Sequence, residues 1–156
     1  GIPMADAPHI MIVESRYYEE IAQELITSVI KELDDAGATY ERFEVPGAFE
    51  IPTAIKYAIR SMDVDSVHER FDGYIALGCV IRGQTSHYDY VCGESARGLQ
   101  DLALQHALAI GYGILTVENR DQAMARAKRS EQDRGGHAAR ACLRMLELKR
   151  HFHLYP

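Results

Sequence analysis

Apolar positions recur along the chain with two alternating periods. His9–Glu14, HIMIVE, is a short β-branched run and reads as a buried strand. Tyr18–Ala36 then places Ile21, Leu25, Val29 and Leu33 four residues apart, the spacing of an amphipathic helix, and Gly37 is a natural stop. Thr39–Val45 is a second strand, and Pro46-Gly47 turns the chain. Phe49–Met62 regains helical spacing through Ile51, Ile55 and Ile59, with Pro52 tolerated in the first turn. Asp63–Arg70 is charged and reads as loop or a fraying extension. Tyr74–Val80, YIALGCV, is a third buried strand. The loop Arg82–Ser86 leads into a helix over His87–Leu108, and Gly111–Val117 is a fourth strand. Two helices follow, Asn119–Arg129 and Gly136–Phe152, with Asp133-Arg134-Gly135-Gly136 as the break between them.

Strands that alternate with helices predict an α/β fold: a four-stranded parallel sheet with helices on both faces. Crossovers are expected to be right-handed. Ligands of such sheets bind beyond the carboxyl ends of the strands. Those ends are Glu14–Tyr17, Val45–Glu50, Cys79–His87 and Val117–Asn119. No internal repeat, linker or low-complexity tract divides the chain, so residues 1–156 read as one domain. Gly1-Ile2-Pro3 ahead of Met4 reads as a cloning remnant.

Composition narrows the function classes. The chain has 156 residues, 47% hydrophobic and 26% charged, enough apolar material for a core without disulfides or a structural metal. The net charge of −6 argues against nucleic acid or an anionic membrane as the main partner, while leaving room for a local basic pocket. Three cysteines, Cys79, Cys92 and Cys142, form no C-x-x-C pair and fit free thiols in a reducing compartment. No apolar run reaches the roughly 18 residues of a membrane span, and no secretory leader is visible, so the cytoplasm is the expected location.

The richest strand end is Gly83-Gln84-Thr85-Ser86-His87. Unpaired backbone N–H groups at a helix N-terminus attract anions, and Thr85 and Ser86 add hydroxyl donors. A plain N-cap would use the same residues. The helix dipole disfavours a cationic His87, which biases it toward the neutral form that accepts a proton near pH 7. His9, His68, His106, His137, His151 and His153 lack such a setting and read as surface residues. His151 and His153 lack a third partner for a metal. Val45–Pro52, VPGAFEIP, fixes the backbone with two prolines and a glycine and puts Glu50 in a first helical turn. Tyr17, Tyr18 and Tyr112 are aromatics able to stack on a planar ligand, or simply rim residues. Arg126, Lys128, Arg129 and Arg134 gather near the last break. A solvated face explains such a cluster, and so does a phosphate.

Together these segments resemble the lumazine synthases of riboflavin biosynthesis. The resemblance rests on VPGAFEIP at Val45–Pro52, GCVIRGQTSHYDYV at Gly78–Val91, and YGILTVEN with QA..RA through Tyr112–Ala127. It implies a flavodoxin-like three-layer α/β/α sandwich. It also implies an enzyme that condenses 5-amino-6-(D-ribitylamino)uracil with 3,4-dihydroxy-2-butanone 4-phosphate, giving 6,7-dimethyl-8-ribityllumazine, phosphate and water, without metal or cofactor. By motif position, His87 matches the proton-transfer residue, and Gln84, Thr85 and Arg126 the phosphate site. Arg134 stands where the family usually has a lysine. Tyr17 matches the aromatic that stacks on the pyrimidine, within Arg16-Tyr17-Tyr18 where Arg-Phe-Asn is usual. Ala48, Phe49, Glu50, Cys79, Val80, Ile81 and Tyr112 match contacts to the ring and ribityl chain. Family members that form sixty-subunit shells carry a Gly-rich segment after the phosphate arginine; Lys128-Arg129-Ser130-Glu131-Gln132 stands there instead. A helix continuing through it would block pentamer-to-pentamer contacts. The expectation is therefore a free homopentamer, with Tyr112 and Arg126 reaching the neighbour's site. A flavin- or lumazine-binding carrier, or a shell protein, is the alternative on the same fold.

Overall fold

The structure, a computed structural model, describes residues 7–64 and 71–155. The Gly1–Pro3 remnant, His68 and most of the charged Asp63–Arg70 stretch lie outside them. The strands are β1 (His9–Ser15), β2 (Thr39–Val45), β3 (Gly73–Ile81) and β4 (Ala109–Val117). The helices are α1 (Glu19–Asp35), α2 (Ile51–Val64), α3 (His87–His106), α4 (Arg120–Ala127) and α5 (Arg134–His151). A 3-10 turn, Ala48–Glu50, precedes α2, so Glu50 stands just before that helix and not inside its first turn.

All strand pairs are parallel, in the order β2-β1-β3-β4. The four-stranded α/β architecture matches the expectation. The central strands β1 and β3 are buried on both faces, which is why they read as unbroken apolar runs. Alternation along β1 feeds two cores. Ile10 and Ile12 pack with Ile21, Leu25 and Val29 of α1 and with Ala138, Cys142 and Leu146 of α5. Met11 and Val13 pack with Ile51 and Ile55 of α2 and with Leu99 of α3. Each fully buried aliphatic side chain contributes roughly 1.5–3 kcal/mol.

Helix ends depart from the sequence reading. The α1 stop is as expected: Gly37 takes φ +73° and the chain closes through Ala38 N–H donating to the Leu33 carbonyl at 2.9 Å. Helix α3 ends two residues early, because Ala107 adopts the left-handed conformation at φ 53°. The Gly135-Gly136 pair is no break. Both residues are buried in the first turn of α5, and a Cβ at Gly135 would collide with the Leu25 carbonyl of α1. Glycine is there for close helix approach. The true N-cap is Asp133, at φ 49°, whose carboxylate accepts from Gly136 N–H at 3.3 Å.

The expected helix through Lys128–Gln132 is absent. Helix α4 stops at Ala127, Lys128 is extended, and a turn follows. Ion pairs fix that turn. Glu32 of α1 receives Arg129 at 3.0 Å and Arg140 at 2.7 Å, and Asp133 receives both at 3.6 and 3.5 Å. The sequence reading missed this because the partner charge, Glu32, lies almost a hundred residues upstream.

Candidate active site

Strand order reverses between β1 and β3, and such a switch point opens a crevice above the carboxyl ends of the strands. A pocket of about 600 Å³ lies there. Ser15, Tyr17 and Tyr18 line it from the end of β1, and Pro46–Glu50 from the β2–α2 turn. Cys79, Val80 and Ile81 come from the end of β3, and His87, Tyr90 and Val91 from the first turns of α3. Eight of the anticipated residues thus converge: Tyr17, Ala48, Phe49, Glu50, Cys79, Val80, Ile81 and His87.

The walls are apolar and the mouth is aromatic. Tyr17 is 76% exposed and Phe49 55%, both free to cover a planar ligand. Tyr17 meets the Tyr18 ring edge-on at 4.9 Å. Burial pushes the Cys79 thiol up to about 11, against an opposing pull from Arg120. Cys79 is therefore a wall and not a nucleophile at neutral pH. Glu50 is the one carboxylate among the described lining residues, and Arg and Lys are absent from them.

The turn ahead of α3 is exposed. A Cβ at Gly83 would meet nothing within 4 Å, so the backbone there is uncovered. Ser86 occupies the N-cap position without a capping bond, and Thr85 Oγ1 instead accepts from His87 N–H at 3.3 Å. The plain capping role thus belongs to Thr85. Arg82 clamps the turn to its surroundings. Its Nε reaches Glu118 at 3.0 Å, an Nη reaches Asp89 at 3.4 Å, and its guanidinium sits 4.3 Å over the Tyr88 ring. Gln84 and Thr85 border the pocket in sequence but do not line it.

The remaining anticipated residues lie elsewhere. Tyr112 of β4 lines a separate groove of about 550 Å³ with Leu99, Leu104, Met145 and Lys149. Burial raises the pKa of its phenol, against an opposing hydrogen bond with Ser95. Arg126 is half-buried on α4, donating to the Gln122 carbonyl at 3.4 Å. Arg134 is exposed at the start of α5. Two histidines expected at the surface are half-buried. His9 bonds Thr39 Oγ1 at 2.7 Å and Glu41 at 2.9 Å and stacks on Phe71, and His106 meets Lys56 Nζ at 2.9 Å. No group of three side chains able to hold a metal occurs among the described residues. Nor is any helix among them long and apolar enough to cross a membrane.

Sequence reasoning missed Ser15, Tyr90 and Val91. Tyr90 was findable, since it follows His87 by three residues and shares its helix face. The buried Glu14 at the end of β1 and its partner Arg42 on β2 were also missed. The Glu14 carboxylate accepts from Arg16 at 2.8 Å and from Arg42 Nε at 2.8 Å.

A family model described as 6,7-dimethyl-8-ribityllumazine synthase matches residues 7–150. The chain belongs to that family. A 6,7-dimethyl-8-ribityllumazine synthase of Agrobacterium fabrum is 52% identical over 143 residues, covering 92% of this chain and 95% of the relative. The 6,7-dimethyl-8-ribityllumazine synthase 1 of Rhizobium meliloti is 54% identical over 141 residues, covering 90% and 91%. That of Paramagnetospirillum magneticum is 43% identical over 141 residues, covering 90% and 94%. Membership makes the chain a lumazine-forming transferase of riboflavin biosynthesis, and the carrier and shell readings are not favoured.

Proposed function

We propose that condensation of 5-amino-6-(D-ribitylamino)uracil with 3,4-dihydroxy-2-butanone 4-phosphate takes place in the pocket above β1 and β3, with His87 moving the protons. The convergence of Tyr17, Phe49, Glu50, Cys79–Ile81 and His87 on one crevice supports this reading. Tyr17 and Phe49 flank the pyrimidine. The backbone at Ala48 and Cys79–Ile81, with the Glu50 carboxylate, addresses the ring edge and the ribityl hydroxyls. The butanone phosphate lies toward Gln84, Thr85 and the uncovered turn at Gly83.

The amine of the uracil adds to the ketone and water leaves, giving an imine. Phosphate is then eliminated, and the second amine attacks the remaining carbonyl and closes the ring with loss of a second water. Each step relocates a proton, and one imidazole serves them in turn. Both substrates are intrinsically reactive, so orientation supplies much of the acceleration. No metal or organic cofactor takes part.

The pocket holds no Arg or Lys among its described lining residues, yet a phosphate dianion must be bound and released. This supports a homopentamer in which Arg126, with Tyr112 and Arg134, completes the site of an adjacent subunit. The segment Lys128–Gln132 lacks the glycines of the shell-forming members, which supports an assembly that stops at five chains even though the helix expected to block further contacts is absent. Location in the cytoplasm agrees with a soluble biosynthetic enzyme.

Mixing both substrates with the protein and following lumazine absorbance tests the reaction. The His87→Ala variant is expected to turn over about 10²-fold more slowly. Wild-type turnover in that variant removes the histidine's role. Light scattering should give a particle near five chains, and one near sixty overturns the assembly.

A further inference from the structure

Glu14 is the one acidic side chain among the described buried residues, 3% exposed at the carboxyl end of β1. A carboxylate there costs several kcal/mol of desolvation, and a well-packed apolar residue would stabilise the fold as well. The charge therefore calls for a reason other than stability.

Its contacts supply one. Glu14 Oε1 accepts from an Arg16 Nη at 2.8 Å, and Oε2 accepts from Arg42 Nε at 2.8 Å. Arg16 is held at its other nitrogens as well. Its other Nη donates to Glu19 at 3.0 Å and to Gln23 at 3.1 Å, and its Nε donates to Glu19 at 3.3 Å. The side chain is only 13% exposed. One residue later stands Tyr17, and Tyr18 follows as the N-cap of α1, its carbonyl accepting from Ala22 N–H at 2.8 Å. The backbone of Tyr17 is thus held on both sides while its ring projects into the pocket mouth. Burial works against the Arg16 charge, but the bonds to Glu14 and Glu19 outweigh it and raise its pKa.

We propose that Glu14 is a positioning residue for the pyrimidine: acting through Arg16, it fixes the turn that aims Tyr17 across the pocket. The inference rests on the stacking role proposed above for Tyr17. Without the brace, the Tyr17 ring samples several orientations, and binding must order it. The second substrate, which faces His87 and the α3 turn, does not feel the change.

The experiment measures KM for each substrate and kcat in wild type, Glu14→Gln and Arg16→Met. The second variant removes the same brace from the more exposed partner, so the inference survives a folding defect in the first. Losing one ordered aromatic contact corresponds to about tenfold in affinity. The expected result is a roughly tenfold rise in KM for the ribitylaminouracil, with kcat and the KM for the butanone phosphate within about twofold of wild type. A Tyr17→Trp reporter gives a second readout, because the chain contains no tryptophan. Its quenching by added 6,7-dimethyl-8-ribityllumazine should need about tenfold more ligand when combined with Arg16→Met. Unchanged KM for the uracil, or an equal rise for both substrates with falling kcat, overturns the inference. A wild type that forms no lumazine overturns the functional reading instead.

Discussion

Two regions of the molecule carry the residues that the proposed reaction calls on, and they are built differently. The crevice above β1 and β3 collects aromatic and apolar groups with a histidine and a carboxylate, all from one chain. The β4 flank carries Tyr112 on the edge strand and Arg126 on the helix that follows it, and neither reaches the crevice. One region gathers aromatic groups but no Arg or Lys among its described lining residues; the other has Tyr112 in a separate groove and Arg126 outside both. On the proposed reading, the difference means that a single chain holds half of two sites, and that charge neutralisation of the phosphate is the half it lends.

The strongest test of that division is complementation. Arg126→Ala should lower kcat/KM by about 10²–10³-fold, the usual cost of removing a charged stabiliser of a leaving group. Coexpressed with His87→Ala, it should yield mixed oligomers in which some pockets contain an intact histidine and an intact borrowed arginine. Activity well above either parent is expected. No recovery in verified mixed oligomers breaks the comparison, because both groups would then serve the same chain.

A smaller effect probes the lending flank alone. A Cβ at Gly111 would strike the Ala138 carbonyl, so Gly111→Ala must push α5 away from β4. Overpacking of this kind costs roughly 2–3 kcal/mol, a fall in Tm of roughly 5–10 °C at matched chain concentration. Calorimetry checks it, and an unchanged Tm shows that the flank is softer than described. The smallest effect sharpens the comparison as a control. Ala107 holds φ 53° after α3, in the groove that Tyr112 lines but not among the residues of the β1–β3 crevice. Ala107→Gly should add about 1 kcal/mol of stability in urea titration while leaving kcat within about twofold. A change in turnover would mean that the groove around Tyr112, or stability itself, moves the rate.

Much of the fold was legible because strand and helix periods differ so clearly along this chain. Ile21, Leu25 and Val29 announce α1, and the doubly buried runs of β1 and β3 announce the centre of a parallel sheet. What escaped was chemistry without a local signature. Nothing in the sequence marks Ala107 or Asp133 as left-handed. Gly135-Gly136 looks like a break until the α1 backbone is seen against it. The site divides in the same way. His87 and the β3 end are contiguous in sequence, so their motif could be read. The Glu14–Arg16–Arg42 brace joins two strands through a buried carboxylate that periodicity alone assigns only to the end of a run.

The thiol of Cys79 bears on the substrate's own chemistry. A ketone that an amine attacks readily is also open to sulfur, and a thiolate beside it would form adducts and foul the enzyme. With its pKa pushed to about 11 by burial, only about one molecule in ten thousand carries that thiolate at pH 7. With the reaction in this pocket, as proposed, the electrophile would face a sulfur wall that is almost never a nucleophile, and the amine of the partner substrate would meet little competition.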